Sequence, residues 1–287
     1  MKIASIATAG GPSIGVRDDD GAVIDLGSLG SVLPTDLRAL LDLGPGALAD
    51  IDTLARSAGT RLDPAEFRFL PVIPHPEAVW CAALNYPTHV TEGLWDAPTR
   101  PPWFLRVAGS LCGHLEPIVQ PLVSDRLDYE GELAVVIGKR ARHVPVSDAF
   151  DVIAGYSCFN DGSVRDWQRH TAQITSGKNF ASTGGFGPWL TTVDDVPEID
   201  EAVLTTRLNG TVMQKTKIGE MIFGIAELIH YVSTISELLP GDVVVTGTPG
   251  GVGARQKPQV FMQPGDVVEV EIDQVGLLRN TVVREES

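Results

Sequence analysis

Little in this 287-residue chain suits a disulfide framework, a membrane or a polyanion. Its three cysteines, Cys81, Cys112 and Cys158, lie far apart and form no CxxC pair. An odd, scattered set argues against disulfide scaffolding and thiolate zinc, and it fits a reducing cytosol. No apolar run approaches the roughly 20 residues that a membrane span needs. The start, MKIASIATAGG, lacks the apolar stretch of a signal peptide. Cations are scarce: 22 Lys and Arg stand against 37 Asp and Glu, for a net charge of -15. That sign repels phosphate backbones and anionic lipid, so the expectation is a cytoplasmic protein with no nucleic-acid and no membrane partner. Anionic small molecules stay compatible wherever cations gather locally.

Several catalytic signatures are missing too. There is no GxSxG elbow and no HExxH pair. The glycine-rich stretch TGTPGGVGARQK, at 246–257, matches neither GxxxxGK[ST] nor GxGxxG, and no helical pattern follows it. It reads as a tight inter-strand loop, although closely spaced backbone amides there could still face a ligand.

What is present suits a sizeable core: 43% of residues are hydrophobic and the mean hydropathy is +0.08. Residues 1–70 read as a small separate unit, with strands in KIASIAT and GAVIDLGSL and helical stretches at 35–43 and 46–58. Pro71, Pro74 and Pro76 mark a connector. From about 78 onward the signals are mainly short strands, and one helix is expected over 218–239, stopped by Pro240-Gly241. PGDVV occurs at 240–244 and again at 264–268, which predicts two adjacent hairpins. The mix is that of a β-rich α+β fold, divided as 1–70 and 71–287.

The chemistry-bearing stretch is LDYEGELAVVIGK, at 127–139. Asp128, Glu130 and Glu132 alternate ahead of an apolar run, so a strand would set all three carboxylates on one face, about 6–7 Å apart. They could cap a solvated strand end, include one buried acid of raised pKa, or share a hard cation that removes their repulsion. A second acid strengthens the cation reading. AGYSCFNDGSVRDWQ ends an apolar strand at Asp161, and two Glu plus one Asp suit Mg²⁺ or Mn²⁺ better than Zn²⁺. Arg165 and Gln168, i and i+3 in a short helical segment, lie near Asp161, and Lys178 follows. Arg165 could simply pair with Asp161 or Asp166; beside a bound cation these groups could anchor a substrate carboxylate or enolate. In LNYPTHVTEG, His89 and Glu92 are also i, i+3, so the carboxylate could orient the imidazole as a general base. The following LWDAPTRPPWFLR has the character of a loop covering a site.

Nine stretches in order, from LNYPTHVTEG and LDYEGELAVVIGK through GKNF and LLPGDVVVTGTPGGVG to PGDVVEVEIDQVGLLRN, resemble the fumarylacetoacetate hydrolase superfamily from about residue 78 almost to the end. The resemblance implies a mixed β-sandwich-roll catalytic domain with a small N-terminal α/β accessory domain, a homodimer, and bound Mg²⁺ or Mn²⁺. Carried over position by position, it implies metal ligands at Glu130, Glu132 and Asp161. His89, Glu92 and Lys178 would be catalytic. Arg106, Arg165, Gln168 and Thr248 would bind substrate. Asp128 becomes a supporting residue. The implied activity is hydrolysis of a C–C bond in a 2,4-dioxo acid such as an acylpyruvate, in aromatic or sugar-acid breakdown, with water activated by His89 and Glu92. The alternatives are an oxaloacetate-type decarboxylase and an isomerase or hydratase of 2-oxo dienoic acids. Two departures stand out: Arg106 where the family commonly has lysine, and NDGSVRD where it has NDVSARD. His170 falls near the site without an assigned role.

Overall fold

The segment Gly131–Ile137 is buried at all seven residues. A β-branched run without alternation belongs in the middle of a sheet covered on both faces, and that is where it lies. The computed structural model describes residues 1–30 and 33–286. In it, this strand runs antiparallel to Ile153–Asp161 on one side and to Val243–Val245 on the other. Beyond Val243–Val245 come Val79–Ala82, in parallel, and Trp103–Arg106 at the edge. Beyond Ile153–Asp161 comes Gly184–Thr192. The chain is thus β-rich, with mixed parallel and antiparallel pairing.

A second, five-stranded sheet has the order Thr211–Lys217, Val203–Leu208, Val267–Ile272, Gly276–Arg284, Ile118–Gln120. Val267–Ile272 alternates half-buried and buried residues, the period-two pattern of a strand packed on one face. The sheets approach closely at Gly131, where any Cβ would collide with the Thr206 hydroxyl; glycine is required there for contact, not for backbone freedom.

Residues 1–70 join the larger sheet directly. Lys2–Thr8 pairs with its hairpin partner Gly11–Arg17 and also with the far end of Gly184–Thr192, in the register Lys2↔Thr191 and Ile3↔Leu190. Ile3, Leu37, Leu40 and Ile51 share one apolar cluster with Val79, Val136, Phe159 and Val243. The helices of this segment are Leu37–Asp42, capped by Asp36 accepting from the Arg38 amide, and Pro45–Ala58. Gly44, at φ +95°, makes the left-handed turn between them.

Three sequence expectations are corrected. The 218–239 helix is shorter, Ile225–Ile235, because Asn85 holds the residues before it: its amide donates to the Phe223 carbonyl and accepts from the Phe223 amide. The PGDVV repeats do form alike turns, with Gly241 and Gly265 at φ +84° and +95°. Their strands, however, enter different sheets rather than adjacent hairpins. Finally, the segment after Asp161 is a short strand, Ser163–Val164, and then a 3-10 turn, Trp167–Arg169, rather than a helix.

His114 ties the first segment to the second sheet. Its ring meets Phe69 edge-on at 4.9 Å, and its Nδ1 accepts from the Arg279 amide at 3.1 Å. Burial, then Arg279, pushes its pKa down to about 4. The unfolded chain therefore binds the extra proton first, and stability falls as pH drops from about 6.5 to about 4. Urea midpoints measured across that window should decline for the wild type and decline less for His114→Gln. Equal slopes would show that His114 contributes nothing to the acid sensitivity.

Candidate active site

Strand pairing brings the acids together. Asp161 ends one strand and Glu132 is the second residue of its neighbour, with Gly131 facing Asn160 in register. The Asp161 amide donates to the Glu130 carbonyl at 2.8 Å, and the Glu130 amide to the Asn160 side-chain oxygen at 3.0 Å. Glu130, Glu132 and Asp161 are all buried, and each offers a carboxylate oxygen within 4.8 Å of the others. Asp128 does not join them. The strand breaks at Tyr129 and Glu130, so the one-face arrangement that alternation predicts is lost. Asp128 instead accepts from the Gly253 and Ala254 amides and from Arg165 Nε, at 2.7–2.8 Å.

Three cations answer this negative charge. Lys178 Nζ lies 2.6 Å from Glu130 and 2.5 Å from Asp161, with the Phe104 ring 5.1 Å away. Arg165 Nη1 lies 2.6 Å from Glu130. Arg106 Nη1 lies 2.5 Å from Asp161. Burial opposes the charge on Glu130, but Lys178 and Arg165 outweigh it and hold its carboxyl below the usual range. Burial likewise opposes the ammonium of Lys178, and Asp161 and Glu130 outweigh it, so the pKa rises. Glu132 has no such partner. Burial, then Asp161 and Glu130, pushes its carboxyl well above the ordinary value, relieved in part by the more distant Lys178 and then by the Gly247 amide. Three hard oxygen donors at this spacing, one left uncompensated, fit a divalent cation with open positions for water or substrate.

His89 lines the same cavity as the acids, of about 820 Å³. It sits on the helix Pro87–Gly93, with Nδ1 2.7 Å from Glu92 Oε1. A carboxylate partner fixes the proton on Nδ1 and leaves Nε2 basic. The other oxygen of Glu92 accepts from the Gly251 amide at 2.7 Å, and Thr88 Oγ1 accepts from the Gly250 amide at 3.0 Å. The glycine loop that matched no phosphate motif thus spends its amides on the protein's own Glu132, Glu92 and Asp128.

The other expected residues separate into two groups. Arg165, Gln168, Lys178 and Thr248 all line the cavity. Arg165 does not make the Asp161 or Asp166 pair; its Nη1 donates to Gln168 at 3.1 Å, and its buried Nη2 has no partner among the described residues. An orphaned buried N–H of this kind is a ready donor for a ligand oxygen. Thr248 donates to the Gly131 carbonyl and accepts from Gln214. Arg106, expected as a substrate clamp, is placed elsewhere. It lies behind Asp161, fully enclosed, and donates also to Thr183, Ser110 and the Gly162 carbonyl. It supports Asp161 from the rear rather than touching the cavity. His170 is exposed and its ring packs at a tilt against Trp167. Reading the sequence missed Trp95 and Arg255, both in the cavity wall. The proline- and aromatic-rich segment beginning at Leu94 was the available signal for the first; the second had none.

Residues 78–283 match the family described as fumarylacetoacetate (FAA) hydrolase, C-terminal. The chain belongs to this family. Among its relatives is the mitochondrial oxaloacetate tautomerase FAHD2A of Bos taurus, 37% identical over 95% of this chain and 88% of the relative. The fumarylacetoacetate hydrolase of the psychrophile Exiguobacterium antarcticum superposes with a TM-score of 0.87 at 31% identity, covering 99% of this chain and 100% of the other. The maleylpyruvate hydrolase of Sphingobium sp. SYK-6, solved with manganese(II) and pyruvate, gives 0.82 at 27% identity with 100% coverage of both chains. Among the described residues, no helix is long and apolar enough to cross a membrane.

The unfavourable setting of the Glu132 carboxylate makes a two-sided prediction for this member of the family. Mn²⁺ at 100 times its Kd should stabilise the wild type by about 2.7 kcal/mol, read as a rise in melting temperature over an EDTA control. In Glu132→Gln that rise should vanish. The metal-free variant should nevertheless melt at or above the wild type, because its amide is permanently uncharged, the state that burial and the neighbouring carboxylates favour at this position. A metal-free variant melting well below the wild type would show that Glu132 is not under repulsive load.

Proposed function

We propose that this protein catalyses keto–enol tautomerisation of a 2-oxo diacid of the oxaloacetate type. The observation that carries the reading is that one cavity is lined by His89, itself held by Glu92, and by Glu130, Glu132 and Asp161. The 37% identity to a protein named as an oxaloacetate tautomerase supports it. A divalent cation, Mg²⁺ or Mn²⁺, would be held by the three carboxylates and would supply Lewis acidity toward the 2-oxo and carboxylate oxygens.

The chain's own groups supply the rest. His89 Nε2 accepts a proton from the carbon next to the 2-oxo group, and Glu92 steadies the imidazolium that results. Lys178 stays protonated between its carboxylates and offers positive charge to the enolate oxygen. The unpaired Nη2 of Arg165 donates to the substrate's carboxylate. The imidazolium then returns the proton, to oxygen for the enol or to carbon for the ketone. Gln168 holds Arg165 in place, and Thr248 fixes the strand that carries the acids.

The second reading is C–C hydrolysis of a 2,4-dioxo acid, and the same His89–Glu92 pair favours it, since it can equally deprotonate water. The manganese and pyruvate in the maleylpyruvate hydrolase support that reading. A cytoplasmic homodimer is part of the proposal, and the three buried free thiols suit a reducing compartment.

Product identity separates the readings. With Mn²⁺ present, enol oxaloacetate should lose its ultraviolet band faster than in buffer, with no CO₂ and no pyruvate formed. CO₂ release would make the protein a decarboxylase. Pyruvate plus a carboxylic acid from an acylpyruvate, with no effect on oxaloacetate, would make it a hydrolase. His89→Ala should lower kcat by about 10²–10⁴-fold and leave Mn²⁺ affinity unchanged in titration calorimetry. Retained turnover would remove His89 from the role of base.

A further inference from the structure

The bond to Glu92 settles which nitrogen of His89 carries the proton, but it does not settle where the ring points. A single contact at Nδ1, 2.7 Å from Glu92 Oε1, lets an imidazole swing about that contact and sweep Nε2 through an arc. A base that must meet one carbon atom needs a second constraint. The chain supplies one two residues beyond the helix Pro87–Gly93, which carries both His89 and Glu92.

That helix closes with a Schellman turn: the Leu94 amide donates to the Thr91 carbonyl and the Trp95 amide to the Val90 carbonyl, both at 3.2 Å. Glycine is the usual residue at the left-handed position of such a turn, yet Leu94 holds it at φ +56° with its side chain 91% exposed. No packing rewards a leucine there, so what the strained backbone secures is the residue after it. The turn throws Trp95 back on the helix, where its indole meets the His89 ring edge-on, centres 5.4 Å apart. The indole also lies over Gly93, where any Cβ would collide with it, so a larger residue at 93 would push the ring away. Trp95 is itself 43% exposed, and burial alone does not immobilise it. Arg255 does, with its guanidinium carbon 4.8 Å from the centre of the Trp95 ring. The turn Gly253–Arg255 is in its own right anchored, because the Gly253 and Ala254 amides donate to the buried Asp128 carboxylate.

We propose that Trp95 is a positioning residue for His89. Arg255 and the Schellman turn hold the indole, and the indole holds the plane of the imidazole. Nε2 then keeps one direction while Glu92 keeps the tautomer. The catalytic consequence rests on the reading of His89 as the base, and it adds what aims that base.

The kinetic test uses the Mn²⁺-loaded protein and enol oxaloacetate. Trp95→Ala should lower kcat at least about ten-fold, as expected when a reacting group loses its alignment, with KM unchanged. Its Mn²⁺ affinity in titration calorimetry should match the wild type, which also shows that the variant is folded. Trp95→Phe should recover most of the loss. Gly93→Ala should reproduce the loss by displacing the ring, and should add nothing when made on Trp95→Ala, because the ring it collides with has gone. A second readout is independent of turnover: NMR signals of the His89 ring in the Mg²⁺-loaded protein should broaden in Trp95→Ala and in Gly93→Ala. A raised KM with kcat intact would make Trp95 a wall that substrate touches and would overturn the proposal. So would a Gly93→Ala loss that persists in full on Trp95→Ala. If the wild type leaves enol oxaloacetate unchanged while the ring signals respond as stated, the functional reading falls and the positioning of His89 stands. Ring signals unchanged in Trp95→Ala would overturn the positioning and leave the functional reading intact.

Discussion

Everything at the centre of this molecule answers one electrostatic problem. Hydrogen bonding between the ends of two buried strands forces Glu130, Glu132 and Asp161 together in the buried wall of the cavity. Unrelieved, such a cluster would protonate or separate. Two relieving groups are permanently cationic arginines, Arg106 behind Asp161 and Arg165 beside Glu130. The third is Lys178, spanning Glu130 and Asp161. Because these settle two of the three acids, the demand for a further positive charge is concentrated at Glu132. The site is thereby tuned to a cation without having to collapse in its absence.

The glycine loop is the second half of the solution. Amides of Gly247, Gly251 and Gly253 each reach a different carboxylate, on Glu132, Glu92 and Asp128. One short stretch of backbone thus sets a candidate metal ligand, the partner of the candidate base, and the carboxylate that grips Arg165. Side chains there would obstruct this: a Cβ on Gly247 would press on Asn85, and one on Gly253 would collide with the Val260 carbonyl. The absence of a helix after the loop also makes sense, since these donors are directed inward at fixed protein anions rather than gathered around a phosphate.

Much of this arrangement was legible in the residues, for identifiable reasons. Gly131–Ile137 and Ile153–Asp161 announce themselves as apolar runs, and acids at the ends of such runs are conspicuous. His89 and Glu92 are local, three apart on one turn, so their contact follows from helix geometry alone. The resemblance then separated Glu130 and Glu132 from Asp128, which alternation could not do, because alternation assumes an unbroken strand and this one breaks at Tyr129. Arg106 was misplaced for a different reason. Its partners Asp161 and Thr183 lie 55 and 77 residues away, and nothing local shows whether a guanidinium approaches a carboxylate from the cavity or from behind. Arg255 carried no periodic or motif signal at all; its meaning comes from Trp95, brought beside it by tertiary folding. The helix expected over 218–239 failed because Asn85, far upstream, claims the backbone at Phe223.

The pairing of Lys2–Thr8 with Gly184–Thr192 bears on anyone wishing to make a shorter version of this protein. A chain begun at the proline connector would look natural on paper. Cutting there would strip the hydrogen-bonding partner from Leu190 and Thr191 and uncover the apolar side of Val79, Val136 and Val243. An open strand edge beside a bare hydrophobic patch is the usual template for edge-to-edge aggregation. The first seventy residues therefore act as a solubility cover for the strand next to the one that carries Asp161.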